Sequence, residues 1–183
     1  MRRAVVLLVL VAIVGAVVAL VVTSRPELDS TRTATETAWK PLVAPLDARY
    51  AALAVLSTQT DAALRASGED SVDQQDLKVA VASWTAAKKA DDSKKMVSAA
   101  NELEARIGQL RAVLNASVRL SQTPAVTDAR AAFDKTTAPP ELVTTYNEAV
   151  RKYQRTREST ARRLVAQTLG YGPIPTFEPS LVT

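Results

Sequence analysis

The densest run of charge in this chain is basic. Arg151, Lys152, Arg155, Arg157, Arg162 and Arg163 lie close together, and at helical spacing Arg151, Arg155 and Arg162 share one face. Such a strip could meet anionic lipid headgroups or an acidic partner. The plainer reading is a solvated face paired with Glu148 and Glu158. Trp39 and Trp84 suit either an interface or a core, and their places on apolar helical faces favour the core. Tyr146 and Tyr153 stand two turns apart, which sets their rings into a core with the hydroxyls at its edge. Asn147 beside them either bonds across helices and fixes register or stands in solvent.

Beyond these groups the chemistry is bounded by absences. There is no histidine and no cysteine. That removes Ser-His-Asp and Cys-His nucleophiles, thiolate chemistry, the usual zinc sites, haem ligation by histidine and the Glu-x-x-His di-iron motif. No glycine-rich phosphate loop is present. Carboxylates or serine–lysine pairs could still do chemistry, but no constellation singles any out. No catalytic, cofactor-binding or metal-ligating residue is therefore assigned, and a non-enzymatic role is expected.

The side chains that could bind must be positioned by a chain of two contrasting parts. Ala4 to Val22 carries no charge and follows directly on Met1-Arg2-Arg3. About 19 residues at 1.5 Å rise nearly cover the ~30 Å hydrocarbon core of a bilayer. The run is long for a signal peptide and its one candidate cleavage site, Val22-Thr23-Ser24, is poor, so an uncleaved anchor is expected. Arg2 and Arg3 favour a cytoplasmic N-terminus and a body outside, against a weaker pull from Arg25, Arg32 and Lys40. Of the 23 basic residues two precede the run, leaving 21 against 19 acidic, or +2, on the body. Near-neutrality gives no case for nucleic-acid binding. Absent cysteine decides nothing about compartment.

The body reads as helices. Leu28, Thr35, Trp39, Leu42, Leu46, Tyr50, Leu53, Ser57, Thr60 and Leu64 fall on one helical face, with Pro41 and Pro45 predicting a kink or an interrupted first turn and Ser67-Gly68 a stop. A second helix runs from near Ser71 to about Lys89 with Leu77, Ala80, Val81 and Trp84 inward. Asp91-Asp92-Ser93 caps a third, whose seam is Met96, Ala100, Leu103, Ile107, Leu110, Leu114 and Ser117 or Val118. Thr123-Pro124 starts a short helix to about Thr136. Pro139-Pro140-Glu141 opens the last long one, with Val143, Tyr146, Val150, Tyr153, Thr160, Leu164 and Thr168 buried and Gly170 as its end. No stretch alternates with period two. The fold class expected is all-α: a single N-terminal transmembrane helix, then an antiparallel up-and-down helical bundle resembling a four-helix bundle. Residues 1–3 form a short tail, 4–23 the anchor, 27–170 the bundle and 171–183 a proline-rich C-terminal tail, in which Phe177 is expected to pack.

The order of these parts resembles the LemA family. The residues that carry the likeness are Glu36-Thr37-Ala38-Trp39-Lys40-Pro41-Leu42 after the apolar run, Ala99-Ala100-Asn101-Glu102-Leu103-Glu104 in the central helix and, most specifically, the closing third. There Tyr146-Asn147-Glu148-Ala149-Val150 with Tyr153 and Gln154 precedes Leu164-Val165-Ala166-Gln167-Thr168-Leu169-Gly170-Tyr171, then Pro175, Phe177 and Glu178. Tyr50-Ala51-Ala52-Leu53-Ala54-Val55 lacks the family's Pro-Asn, and Pro139-Pro140 interrupts a helix the family tends to keep whole, so the chain looks like a divergent member. The resemblance implies a membrane-anchored antiparallel bundle of undefined molecular role, with no catalytic residues to carry over. It marks Trp39, Tyr146, Asn147, Tyr153, Gly170 and Phe177 as motif and packing positions, and implies an N-terminus outside, opposite to the charge reading.

The function expected is a non-catalytic interaction, scaffold or envelope accessory protein at the cell membrane, holding the bilayer through residues 4–23 and acting on protein partners, with a homo-oligomer possible. The alternative is a ligand-binding or sensory bundle signalling through a partner membrane protein. No cofactor and no nucleic acid is expected.

Overall fold

The computed structural model describes residues 2–68 and 74–180; of residues 1–14, 16, 17, 74, 160 and 161 the side chains lie outside the description. Every element is helical, and no strand occurs among the described residues. The helices are α1 (Arg2–Ala66), α2 (Gln74–Lys89), α3 (Ser93–Ala116), α4 (Val118–Gln122), α5 (Pro124–Asp134), α6 (Pro140–Glu158) and α7 (Thr160–Thr168). Contacts divide the chain into two compact units. One comprises Met1–Thr37 with Glu148–Ile174, the other Ala38–Asn147 with Pro175–Thr183. The single bundle expected over 27–170 is thus two packing units, and the segment after Gly170 contributes to both rather than forming a separate tail.

The whole face predicted for the first helix is buried, from Leu28 to Leu64. Thr60 sits in that face because its hydroxyl donates to the Leu56 carbonyl one turn back (2.8 Å), so no polar group is stranded. The helix is not interrupted at Pro41 or Pro45. A proline inside a helix costs ~3 kcal/mol, but full burial of Trp39, Leu42, Leu46 and Leu53 around the two prolines outweighs that.

Two expected helices break early, each at a serine whose backbone leaves the helical conformation. Ser117 is extended (φ −104°, ψ 106°) and caps α4 by accepting from the Leu120 N–H, so the seam ends at Leu114 and Val118 points outward, 71% exposed. Ser159 likewise leaves the helix (ψ 137°) between α6 and α7. That break shifts the helical phase of α7. Leu164, predicted inward, is 65% exposed, while Val165 and Ala166 are buried in its place. Thr168 is exposed too, and Thr160 falls outside the described side chains.

In the first unit the core is Leu28, Tyr153, Val165, Ala166 and Tyr171, with Leu20, Val21 and Ile174 packed against it. Gly170 takes a left-handed conformation (φ 75°), and the Tyr171 N–H reaches the Ala166 carbonyl at 2.9 Å, closing α7. In the second unit α2 and α3 form a hairpin turned at Asp91 (φ 51°), where the Asp92 N–H donates to the Ala87 carbonyl and the Asp92 carboxylate caps α3 by accepting from the Lys95 N–H.

Among the described residues no helix is long and apolar enough to cross a membrane. Most side chains of the span expected at 4–23 lie outside the described residues. Its inner end is described: Leu20 and Val21, counted in that span, pack on the protein core of the first unit, and Ser24 is buried.

Candidate functional site

In the second unit, residues 175–180 run without secondary structure along α3 and α6 and are held by side chains rather than by another backbone. Asn147, on α6, accepts from the Phe177 N–H through Oδ1 and donates to the Phe177 carbonyl through Nδ2, both at 2.9 Å. Asn101, on α3, donates to the Thr176 carbonyl (2.7 Å) and accepts from the Glu178 N–H (3.0 Å). In an extended chain the N–H and C=O of one residue point the same way and those of its neighbours point oppositely. Two carboxamides therefore grip both edges of the segment, each standing where a paired strand would offer its own N–H and C=O. The Tyr146 hydroxyl donates to the Pro175 carbonyl (2.8 Å), and burial pushes that phenol well above its usual pKa.

One side chain of the segment is an anchor. Phe177 is fully buried, edge-on to Trp39 with centroids 5.7 Å apart, and Trp39 is edge-on to Tyr146 at 5.0 Å. The Trp39 indole Nε1 is buried without a hydrogen-bond acceptor. Glu178 is exposed and Thr176 and Pro179 are half-buried.

At the far end the segment meets a buried ion pair. Arg49 of α1 and Glu104 of α3 are bidentate, Nε to Oε1 at 2.8 Å and Nη2 to Oε2 at 3.1 Å, with side chains 2% and 1% exposed. Arg49 also donates to the Thr136 carbonyl (2.5 Å) and lies 4.6 Å from the Phe133 ring centre. Glu104 Oε2 accepts from the Ser180 N–H (2.9 Å) and hydroxyl (2.6 Å), and Arg49 Nη2 reaches the same hydroxyl (3.2 Å). A cavity of about 390 Å³ opens beside Ser180, walled by Arg49, Ala138, Pro140, Val143 and Pro179. Elsewhere in this unit Asp47 accepts from Trp84 Nε1 (2.9 Å) and from Lys88. Burial alone would raise the Asp47 pKa, but these two donors outweigh it and hold the carboxyl below its usual range.

In the first unit, α6 uses a second tyrosine–amide pair in the same way. The Tyr153 hydroxyl donates to the Gly172 carbonyl (2.9 Å) and Gln154 Nε2 to the Ile174 carbonyl (3.1 Å). The Tyr171 hydroxyl donates to Asp29, a bond that raises its pKa.

Trp39, Tyr146, Asn147 and Phe177 thus meet in one cluster, whereas Tyr153 and Gly170 belong to the first unit. Asn147 holds an extended segment, neither bridging two helices nor standing free. The basic strip is not one helical face: Arg151 and Arg155 are exposed on α6, but Arg162 lies beyond the break at Ser159 and pairs with Glu27. Sequence reading missed Arg49 and Ser180, and it met Asn101, Glu104 and Gln154 only as letters of the family likeness, with no role assigned. A signal for Arg49 existed, since it lies three residues after Leu46 and four before Leu53, inside the apolar face. A charge in that position calls for a buried counter-ion. Among the described residues no group of three acidic side chains could hold a metal ion.

No family model, no curated protein and no solved structure matches this chain.

Proposed function

We propose that this protein is a membrane-anchored helical bundle of the LemA type that works through protein contacts, as a scaffold or envelope accessory factor. The observation that carries the reading is the uncharged run Ala4–Val22, which belongs to the same helix, α1, as the buried face from Leu28 to Leu64. With Leu20 and Val21 engaged in protein packing, Ala4 to Ala19 remains for lipid, about 24 Å of helix. That is somewhat short of the ~30 Å core, a mismatch that local thinning of the bilayer can absorb. The anchor confines the body's binding surface to the membrane and raises its local concentration there.

Membrane fractions washed with alkaline carbonate test this. The full chain is expected to stay in the pellet, and a variant with Leu8, Leu10 and Ile13 all changed to Lys to leave it. Release of the unaltered chain into the wash would overturn the anchor. The Arg2-Arg3 pair places the body outside, so protease added to intact spheroplasts should digest it, and a spared body would overturn that orientation.

A further inference from the structure

We infer that the cleft between Asn101 and Asn147 is a recognition site for an extended peptide segment, and that residues 175–180 are its occupant in cis. The ligand class is a short extended polypeptide with an aromatic anchor and, three residues later, a serine: the pattern Pro-Thr-Phe-Glu-Pro-Ser of residues 175–180.

Three observations carry this. First, the grip is on backbone. Thr176 C=O, Phe177 N–H, Phe177 C=O and Glu178 N–H, four successive main-chain groups, are all satisfied by two side-chain amides. Main-chain groups taken out of water need partners wherever they lie, and here all four find them on two helix-borne carboxamides and none on another backbone. Main-chain capture with a pocket for one side chain is how proteins bind extended peptides in general. Second, specificity is concentrated at two points: Phe177 enters the cluster with Trp39 and Tyr146, and Ser180 meets Arg49 and Glu104. Glu178 between them is exposed, so that position tolerates variation. Third, the groups that line the cleft are carried by helices and by each other: Asn101 and Asn147 project from the long helices α3 and α6, and Arg49 and Glu104 are bidentate to one another besides meeting Ser180.

An occupant on the same chain has a high effective concentration, so a partner carrying this pattern binds only when the resident segment is loosened. This deepens the contact-based reading above by naming the partner's chemistry. Its test uses no membrane binding, so the two can fail separately.

The full-length protein in detergent is the material. Glu178→Pro removes the N–H that Asn101 accepts, leaves Phe177 in place and suits the extended conformation of the residue before it. Phe177→Ala removes the anchor. A fluorescent Pro-Thr-Phe-Glu-Pro-Ser peptide is titrated onto each, with helical content checked by circular dichroism. Saturable anisotropy change is expected with both variants and at least tenfold weaker with the unaltered protein. Exchanging Phe for Ala in the peptide should weaken binding tenfold or more. Adding Asn147→Ala to Glu178→Pro should do the same. No binding to a folded Glu178→Pro protein overturns the proposal. Hydrogen exchange of the unaltered chain is the check that needs no variant. The Phe177 and Glu178 amides should exchange through an opening that leaves α3 and α6 protected. Exchange only together with those helices would show an integral part of the core and no recognition site.

Discussion

Arg49 and Glu104 illustrate how much one residue can be asked to hold. Each is nearly free of solvent, and between them they contact α1, α3, the Thr136 carbonyl and Ser180. Removing ions from water is repaid only when every remaining donor and lone pair is satisfied, as it nearly is here. Arg49→Ala should therefore cost about 3–5 kcal/mol in urea unfolding, mostly through the stranded carboxylate, whereas the double change Arg49→Met with Glu104→Leu should cost clearly less. A double change as costly as the single would mean that the pair contributes by itself rather than by avoiding an unpaired charge.

Among elements, the helix ends set where everything else lies. The chain leaves α1, α2 and α7 through a left-handed residue: Gly68, Asp91 and Gly170. Open space surrounds the position where a Gly170 side chain would project, so Gly170→Ala carries only the backbone penalty, about 1–2 kcal/mol. Asp91→Gly should shift stability the other way, by up to about 1 kcal/mol. Thermal melts of both variants check the opposite signs. The helical faces of α1 and α3 were readable because three- and four-residue spacing follows directly from helix geometry. Ser117 and Ser159 were not, since a serine inside an otherwise periodic run is common and only its dihedral angles reveal a break. The cleft was harder still. Asn101, Asn147 and Glu104 were visible as motif letters, but their shared partner is up to 77 positions away, and no local period links them.

For the molecule as a whole, the four tyrosines report on folding at high pH. All have raised pKa values: Tyr50, Tyr146 and Tyr153 chiefly by burial, and Tyr171 chiefly through its bond to Asp29. The folded state favours the neutral phenol, so this contribution is complete below the unfolded value near 10 and is lost as pH rises through the folded values. Tyrosinate absorbance should lag a free-tyrosine titration and then rise together with loss of helical circular dichroism. Ionisation of all four near pH 10 with helix intact would contradict their burial. The hold on residues 175–180 also has a kinetic side. Helical proteins fold fast when their contacts are local, and here Arg49 bonds to Ser180 across 131 positions of chain. Bringing groups that far apart together costs loop-closure entropy before any contact repays it. The helices and their hairpins would then form in a rapid phase and the segment would dock in a slower one. In that interval Trp39 and the Arg49–Glu104 pair stand uncovered, and a chaperone, a protease or a partner could reach them first.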